Sequence, residues 1–179
     1  MNLAISTMAL IYSFPPIADK NARILILGSM PGRASLTAHE YYAHPQNHFW
    51  HIMSELLDVE TGSSYETRVK AAKSARIAVW DVLQSCTREG SLDSSIAHDT
   101  QTANDFHSFF QTYKQITHIF FNGAKAEVCF KQHGLRELGD VSLTYLRLPS
   151  TSPAHASVKF AQKLQEWRAI LPPLVATTV

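Results

Sequence analysis

Amides, a carboxylate and runs of hydroxyl side chains are what this 179-residue sequence offers for chemistry, gathered in four polar segments. They are GSMPGRASLTAHEYYAHPQN from Gly28, DVLQSCTREGSLDSSI from Asp81, NGAKA from Asn122 and PSTSPAHAS from Pro149. Ser29 and Asn47 are the hydroxyl and amide that open and close the first segment, Asp81 and Asn122 begin the next two, and Ser150, Thr151 and Ser152 crowd the last. An Asn side chain both donates and accepts hydrogen bonds, and an ionised carboxylate only accepts. Each position also has an ordinary structural use: Asn47 as the cap of a helix beginning at His48, Asp81 as a strand-end turn or cap, Asn122 with Gly123 as a left-handed turn, and the Ser-Thr-Ser-Pro run as a helix entry.

Other chemistries find little support. His39, His44, His48 and His51 cluster in sequence, yet no HExxH-type pair with a carboxylate follows, so no metal is expected. Ser29 does not sit in the Gly-x-Ser-x-Gly elbow that exposes a nucleophilic serine. Cys86 and Cys129 stand far apart and suggest neither a disulfide nor a zinc site.

The elements that must position these groups are legible as four apolar runs, 23–28 (RILILG), 76–82 (RIAVWDV), 118–122 (HIFFN) and 143–148 (LTYLRL). Nearly continuous apolar runs of this length read as strands covered on both faces. Between them lie stretches with helical spacing: Phe49, Ile52, Met53, Leu56 and Leu57; then 65–74; then Phe106, Phe109, Phe110 and Tyr113; then 124–133 and 158–170. Strands alternating with helices predict an α/β fold, a three-layer α/β/α sandwich around a central, mostly parallel four-stranded sheet. Functional groups in such a sheet collect at the carboxyl ends of the strands, where the four polar segments fall.

The length and a 45% hydrophobic content suit a single domain over 1–179 with a full core. The stretch 1–16 lacks a positive n-region and no apolar run could span a bilayer, so an unexported protein of the reducing cytoplasm is expected. The formal net charge is only +1, so any contact with nucleic acid must come from a local patch.

Taken in order, the strand followed by GSMPG, then YYAHPQNHFW, WDVLQSCTREGSLDSSI, FFNG and LPSTSPAHAS, the chain resembles the DNA-deoxyinosine (hypoxanthine-DNA) glycosylases. These are a branch of the uracil-DNA glycosylase superfamily close to its mismatch-specific thymine/uracil-DNA glycosylases, and the likeness covers roughly 13–164. It implies a uracil-DNA glycosylase-like fold and hydrolysis of the N-glycosidic bond of a flipped, deaminated base, hypoxanthine first, to leave an abasic site. The mismatch-specific relatives handle the water with the Asn of Gly-x-Asn-Pro-Gly. The resemblance puts Ser29 in that place, so Asn47 becomes the main catalytic amide with Ser29 assisting. Tyr42 matches the aromatic that stacks on the flipped base.

Asp81 matches a position facing the base edge, and Asn122, at the third strand's end, offers an amide whose donor and acceptor suit the O6/N7 edge of a purine or the edge of uracil. An ionised Asp81 would accept the N1 proton of hypoxanthine and repel the bare N1 of adenine; it would equally accept N3–H of uracil. Pro31, Gly32, Ser150, Thr151, Ser152 and His155 are implied DNA contacts, with Arg33, Lys125, Arg147 and Lys159 as a phosphate patch. No lysine lies in the loop from Gly28 to Asn47, so simple hydrolysis is expected rather than a Schiff-base lyase. The implied partner is DNA containing deaminated bases, acted on by a monomer without cofactor. A uracil or mismatch-specific glycosylase, or a DNA-binding module with a degraded site, are the alternatives.

Overall fold

The computed structural model describes residues 9–138 and 141–175; residues 1–8 of the amino-terminal stretch read above lie outside them. Strand β1 (Ala9–Tyr12) comes first, followed by β2 (Ile24–Gly28), every residue of which is buried. Helices α1 (Arg33–Ala38), α2 (Phe49–Leu57) and α3 (Tyr65–Ser74) lead to β3 (Ile77–Asp81), again wholly buried, and β4 (Leu83–Arg88). A short β5 (Thr102–Ala103) and α4 (Phe106–Thr112) precede β6 (His118–Asn122). The chain then runs through α5 (Ala124–Cys129), β7 (Thr144–Leu148), α6 (Phe160–Trp167) and α7 (Leu171–Val175).

β2, β3, β6 and β7 form a parallel four-stranded sheet in the order β3-β2-β6-β7. The expected runs are these strands to within a residue. Helices cover both faces, giving the three-layer α/β/α arrangement. On one side α2 packs against α3 and α6, and Phe49 meets Trp167 edge to face. On the other, α5 lies over β2 and β6, and Phe106 of α4 packs edge to face on Trp80 of β3 and on Phe130. The helix read at 124–133 is α5 continued by a π turn over Phe130–Gly134. A Cβ on Gly134 would come within 2.7 Å of the Phe130 ring, so only glycine lets the turn close on it.

Two features depart from the sequence reading. β7 is not covered on both faces: four of its five residues are exposed and only Leu148 is buried, because it is the edge strand and pairs with β6 alone. The opposite edge is closed instead, since Ile17 exchanges backbone hydrogen bonds with Val79 of β3. The segment after Asp81, read as a loop, holds β4, the centre of a second, antiparallel sheet in the order β1-β4-β5. With Ser85 and Arg88 among its buried residues, β4 has no clean alternation of apolar and polar side chains to betray it.

Candidate active site

Parallel pairing in register sets Gly28 beside Asp81 at the carboxyl ends of β2 and β3. A Cβ on Gly28 would collide with Asp81 Oδ1 and stand 2.9 Å from the Tyr42 hydroxyl, so the glycine is what admits both groups. They help line a cavity of about 340 Å³ at this end of the sheet, and all four polar segments reach its wall. The sequence-derived residues Ser29, Pro31, Gly32, Tyr42, Asn47, Asp81, Asn122, Ser150, Thr151, Ser152 and His155 all fall on that lining.

Asp81 is 2% exposed and its Oδ2 has no hydrogen-bond partner among the described residues. Burial, reinforced by the neighbouring Asp93 carboxylate and only partly opposed by Arg88, pushes its carboxyl up to about 8. This weighs against the expected ionised carboxylate: desolvation favours the neutral form of Asp81, which can donate as well as accept.

Tyr42 lies with its ring stacked on Phe49, centroids 4.0 Å apart and planes 24° from parallel. Its φ of 56° is unusual for a bulky residue and stores on the order of 1–3 kcal/mol of strain. Packing on Phe49 and the space left by Gly28 hold it there. Its hydroxyl is sealed from solvent beside the Asn122 amide, with no partner of good hydrogen-bond geometry among the described residues, and burial together with the Asp81 carboxyl raises it well above its ordinary range.

The two amides are more committed than their types suggest. Asn47 Oδ1 accepts the backbone N–H of Phe49 at 2.9 Å, so its capping use is realised at the entry to α2. Nδ2 makes no hydrogen bond among the described residues, and Oδ1 keeps a second lone pair. Asn122 is bound at both ends: Nδ2 donates to Thr151 Oγ1 and Oδ1 accepts from Thr151 N, each at 2.8 Å. Thr151 is wholly buried, and its carbonyl accepts from His48 N at 3.0 Å. Its hydroxyl is thus turned inward to hold the 149–157 loop and does not reach toward a phosphate, contrary to the DNA-contact reading.

The rest of that loop is tied down from α6. Buried Lys163 donates to the His155 carbonyl at 2.9 Å and Trp167 Nε1 to the Pro149 carbonyl at 3.0 Å. Gly123, at φ 94°, lets β6 turn under the loop; a Cβ there would lie 2.9 Å from Ser150 Cβ. Ser152 and Ser150 keep their hydroxyl protons free, since each Oγ accepts a backbone N–H within the loop. His155 is exposed at the rim.

Of the four cations read as a patch, Arg33 and Lys125 line the cavity. Lys159 borders an adjoining groove that shares Ser152, Pro153 and His155. Arg147 is paired with Glu127 at 3.3 Å and is not part of the lining.

Sequence reasoning missed the third wall. The chain after β4 folds over the GSMPG loop: Arg88 Nη2 donates to the Pro31 carbonyl at 2.5 Å, and Arg33 N donates to Ser91 Oγ at 3.0 Å. This brings Asp93 to Ser29, whose hydroxyl donates to Asp93 Oδ2 at 2.7 Å. Both residues stand in the quoted motif segments, but nothing in their spacing of 64 residues announces a contact. Counting along Gly28-Ser29-Met30-Pro31-Gly32 also corrects the motif register. The third position, the place of Asn in Gly-x-Asn-Pro-Gly, is Met30, which is buried. Ser29 precedes it by one.

A cavity at the carboxyl ends of a parallel sheet, floored by a buried acid and an aromatic and walled by a loop pinned from a following helix, defines a site for a planar, hydrogen-bonding ligand. Residues 15–174 match the uracil DNA glycosylase superfamily, and the chain belongs to it. Among its relatives is the hypoxanthine DNA glycosylase of Methanosarcina acetivorans, 35% identical over 159 residues, 88% of this chain and 95% of that one. That of Methanosarcina barkeri is 37% identical over 114 residues, 63% of this chain and 71% of the relative. The fold is similar to the solution NMR structure of a candidate uracil DNA glycosylase from Methanosarcina acetivorans. The TM-score is 0.77 at 33% identity, over 93% of this chain and 99% of the other.

Proposed function

We propose that this protein is a monofunctional DNA glycosylase that removes a deaminated base, hypoxanthine foremost, by hydrolysis and leaves an abasic site. The observation that carries the reading is the buried Asp81 carboxyl on the cavity lining, its Oδ2 without a hydrogen-bond partner among the described residues and its neutral form favoured by burial. A neutral carboxyl pairs with the lactam edge of hypoxanthine in two bonds: its carbonyl accepts N1–H and its O–H donates to O6. As the glycosidic bond breaks, negative charge spreads onto the departing base, and the O–H bond to O6 strengthens where a carboxylate would repel. The names of the two relatives support hypoxanthine as the base.

The other residues take roles that their contacts permit. Tyr42, backed by Phe49, offers a ring face for the flipped base to stack on. Asn47 Nδ2 can donate to a water or sugar oxygen while its Oδ1 stays with Phe49. Ser150, Ser152 and His155, with Arg33 and Lys125, face the DNA backbone, and Asn122 with Thr151 keeps their loop in place. DNA bearing deaminated bases is the partner, acted on by a monomer.

The imide edge of uracil presents the same donor and acceptor pair as hypoxanthine, so uracil is the second reading. A panel of duplexes each carrying one hypoxanthine, uracil, xanthine or normal base, followed by hot alkali, tests both. Fastest nicking at hypoxanthine is expected. Fastest nicking at uracil would install the second reading, and no nick at any lesion would leave a binding module.

A further inference from the structure

Hydrolysis needs a group that takes a proton from the attacking water, and the groups lining the cavity can be sorted by what their lone pairs are already doing. Asn47 Oδ1 already accepts from Phe49 N and Asn122 Oδ1 from Thr151 N, and a neutral amide oxygen is too weak a base to keep a proton. Met30, third in the Gly28 motif, is apolar. Asp81 is buried at the base edge. His44 Nδ1 accepts from Gln46 N at 3.2 Å, which leaves its other ring nitrogen as the N–H donor. Of the lining side chains basic enough to take a proton, two remain, the exposed His155 ring, which makes no hydrogen bond among the described residues, and Asp93.

Asp93 is the one that is built in. It is half-buried at the start of a 3-10 turn after β4, and Ser29 Oγ donates to its Oδ2 at 2.7 Å. No protein donor among the described residues takes its Oδ1. The turn is held onto the GSMPG loop by Arg88, whose Nε and Nη2 donate to the Gly90 and Pro31 carbonyls, and by the Ser91 bond to Arg33 N. Ser29 thus places a carboxylate oxygen beside the motif loop, where the motif itself supplies no amide.

Resting on the glycosylase reading above, we propose that Asp93, oriented by the Ser29 hydroxyl, is the catalytic base that receives the proton of the attacking water. In that step the water oxygen bonds to the sugar C1′ as the C1′–N bond breaks. The bonding pair leaves with the base, one water proton passes to Asp93 Oδ1, and the carboxyl later releases it to solvent. Ser29 is a positioning residue that acts through Asp93. The Asp93 carboxyl is raised by burial and lowered by Ser29, Arg88 and Lys125, while Asp81 and Tyr42 from β3 and the first loop, and the Cys86 and Cys129 thiols from β4 and α5, also face it. A raised carboxylate is the stronger base, and its protonation sets an acid limb on the rate.

The test is the single-turnover rate of base removal against pH, on whichever lesion the wild-type protein excises, with thermal unfolding and binding to an uncleavable lesion analogue measured for each variant. Asp93→Asn is expected to lose at least about 100-fold in rate, keep its binding and lose the acid limb. Formate should restore part of the rate of Asp93→Ala. Ser29→Ala removes a bond that favours the ionised carboxyl, so its acid limb should move to higher pH. An Asp93→Asn protein within about tenfold of wild type with its acid limb intact would overturn the proposal. So would an acid limb unmoved in Ser29→Ala, or one abolished by His155→Gln instead. Wild-type protein inert on every lesion would overturn the glycosylase reading itself, and Asp93's role with it.

Discussion

At the scale of single residues, the site works by dividing roles among groups of the same chemical type. Asp81 and Asp93 are both carboxyls raised by burial, yet one is closed in, which favours its neutral form, while the other is half-open and held by a hydroxyl. The expected consequence is a bell-shaped rate profile whose alkaline limb, near pH 8, reports loss of the Asp81 proton. Because the two carboxyls interact, the limbs belong to the pair, and removing one charge shifts the other limb. Asp81→Asn keeps a neutral donor and acceptor at the base edge, so it should stay active at pH 7 and flatten the alkaline limb. A full-strength alkaline fall in that variant would separate the limb from Asp81.

Stability carries the same signature. The folded carboxyl is raised above its unfolded value, so its contribution is fully present below about pH 4 and is lost as pH rises toward 8. Asp81→Asn escapes that loss and should exceed the wild type in unfolding free energy above pH 8 by on the order of a few kcal/mol. Melting curves across pH check it. Asn47 divides too: Asn47→Asp keeps an oxygen for Phe49 N but loses the Nδ2 donor. It should hold its Tm while base excision falls at least about tenfold. Asn47→Ala should lose the cap as well, about 1 kcal/mol.

At the scale of elements, the site is a product of strand register and of one pinned loop. A slip of one residue between β2 and β3 would part Gly28 from Asp81 and turn the carboxyl to the other face of the sheet. Gly28→Ala tests the close approach directly, since the added methyl displaces the Asp81 carboxyl and the Tyr42 hydroxyl; excision should be lost while the sheet still folds. In the fourth loop, Thr151→Val removes the hydroxyl that accepts from Asn122 Nδ2. The orphaned donor should cost about 1–3 kcal/mol of stability. Loosening the loop should weaken DNA binding more than it changes the rate at saturating DNA, and a binding titration beside a single-turnover assay distinguishes the two.

For the molecule as a whole, the charge balance decides how DNA is held. A formal net charge of +1 gives no global attraction, and Arg33 and Lys125 are the arginine and lysine side chains on the cavity lining. Binding should therefore release few counterions, and log affinity should fall only shallowly with log salt, by about 0.9 per phosphate neutralised on duplex DNA. A slope as steep as that of a strongly basic protein would require phosphate contacts well beyond the cavity rim. No helix among the described residues is long and apolar enough to cross a membrane.

The sequence by itself determined the central sheet, because four short apolar runs separated by helical spacing admit few arrangements other than parallel strands under helices. It also determined where to look, since the polar segments after those runs had to meet at the carboxyl ends, and Tyr42, Asn47, Asp81 and Asn122 do line one cavity. What only the tertiary structure decided was what each group is free to do. Burial, not residue type, sets Asp81's proton, and partners 29 residues apart occupy Asn122. Asp93 meets Ser29 only because β4, paired with β1, carries the following turn back over the motif loop. Local pattern reports which face of an element is apolar; protonation and hydrogen-bond occupancy depend on neighbours distant in sequence, which only the folded chain brings together.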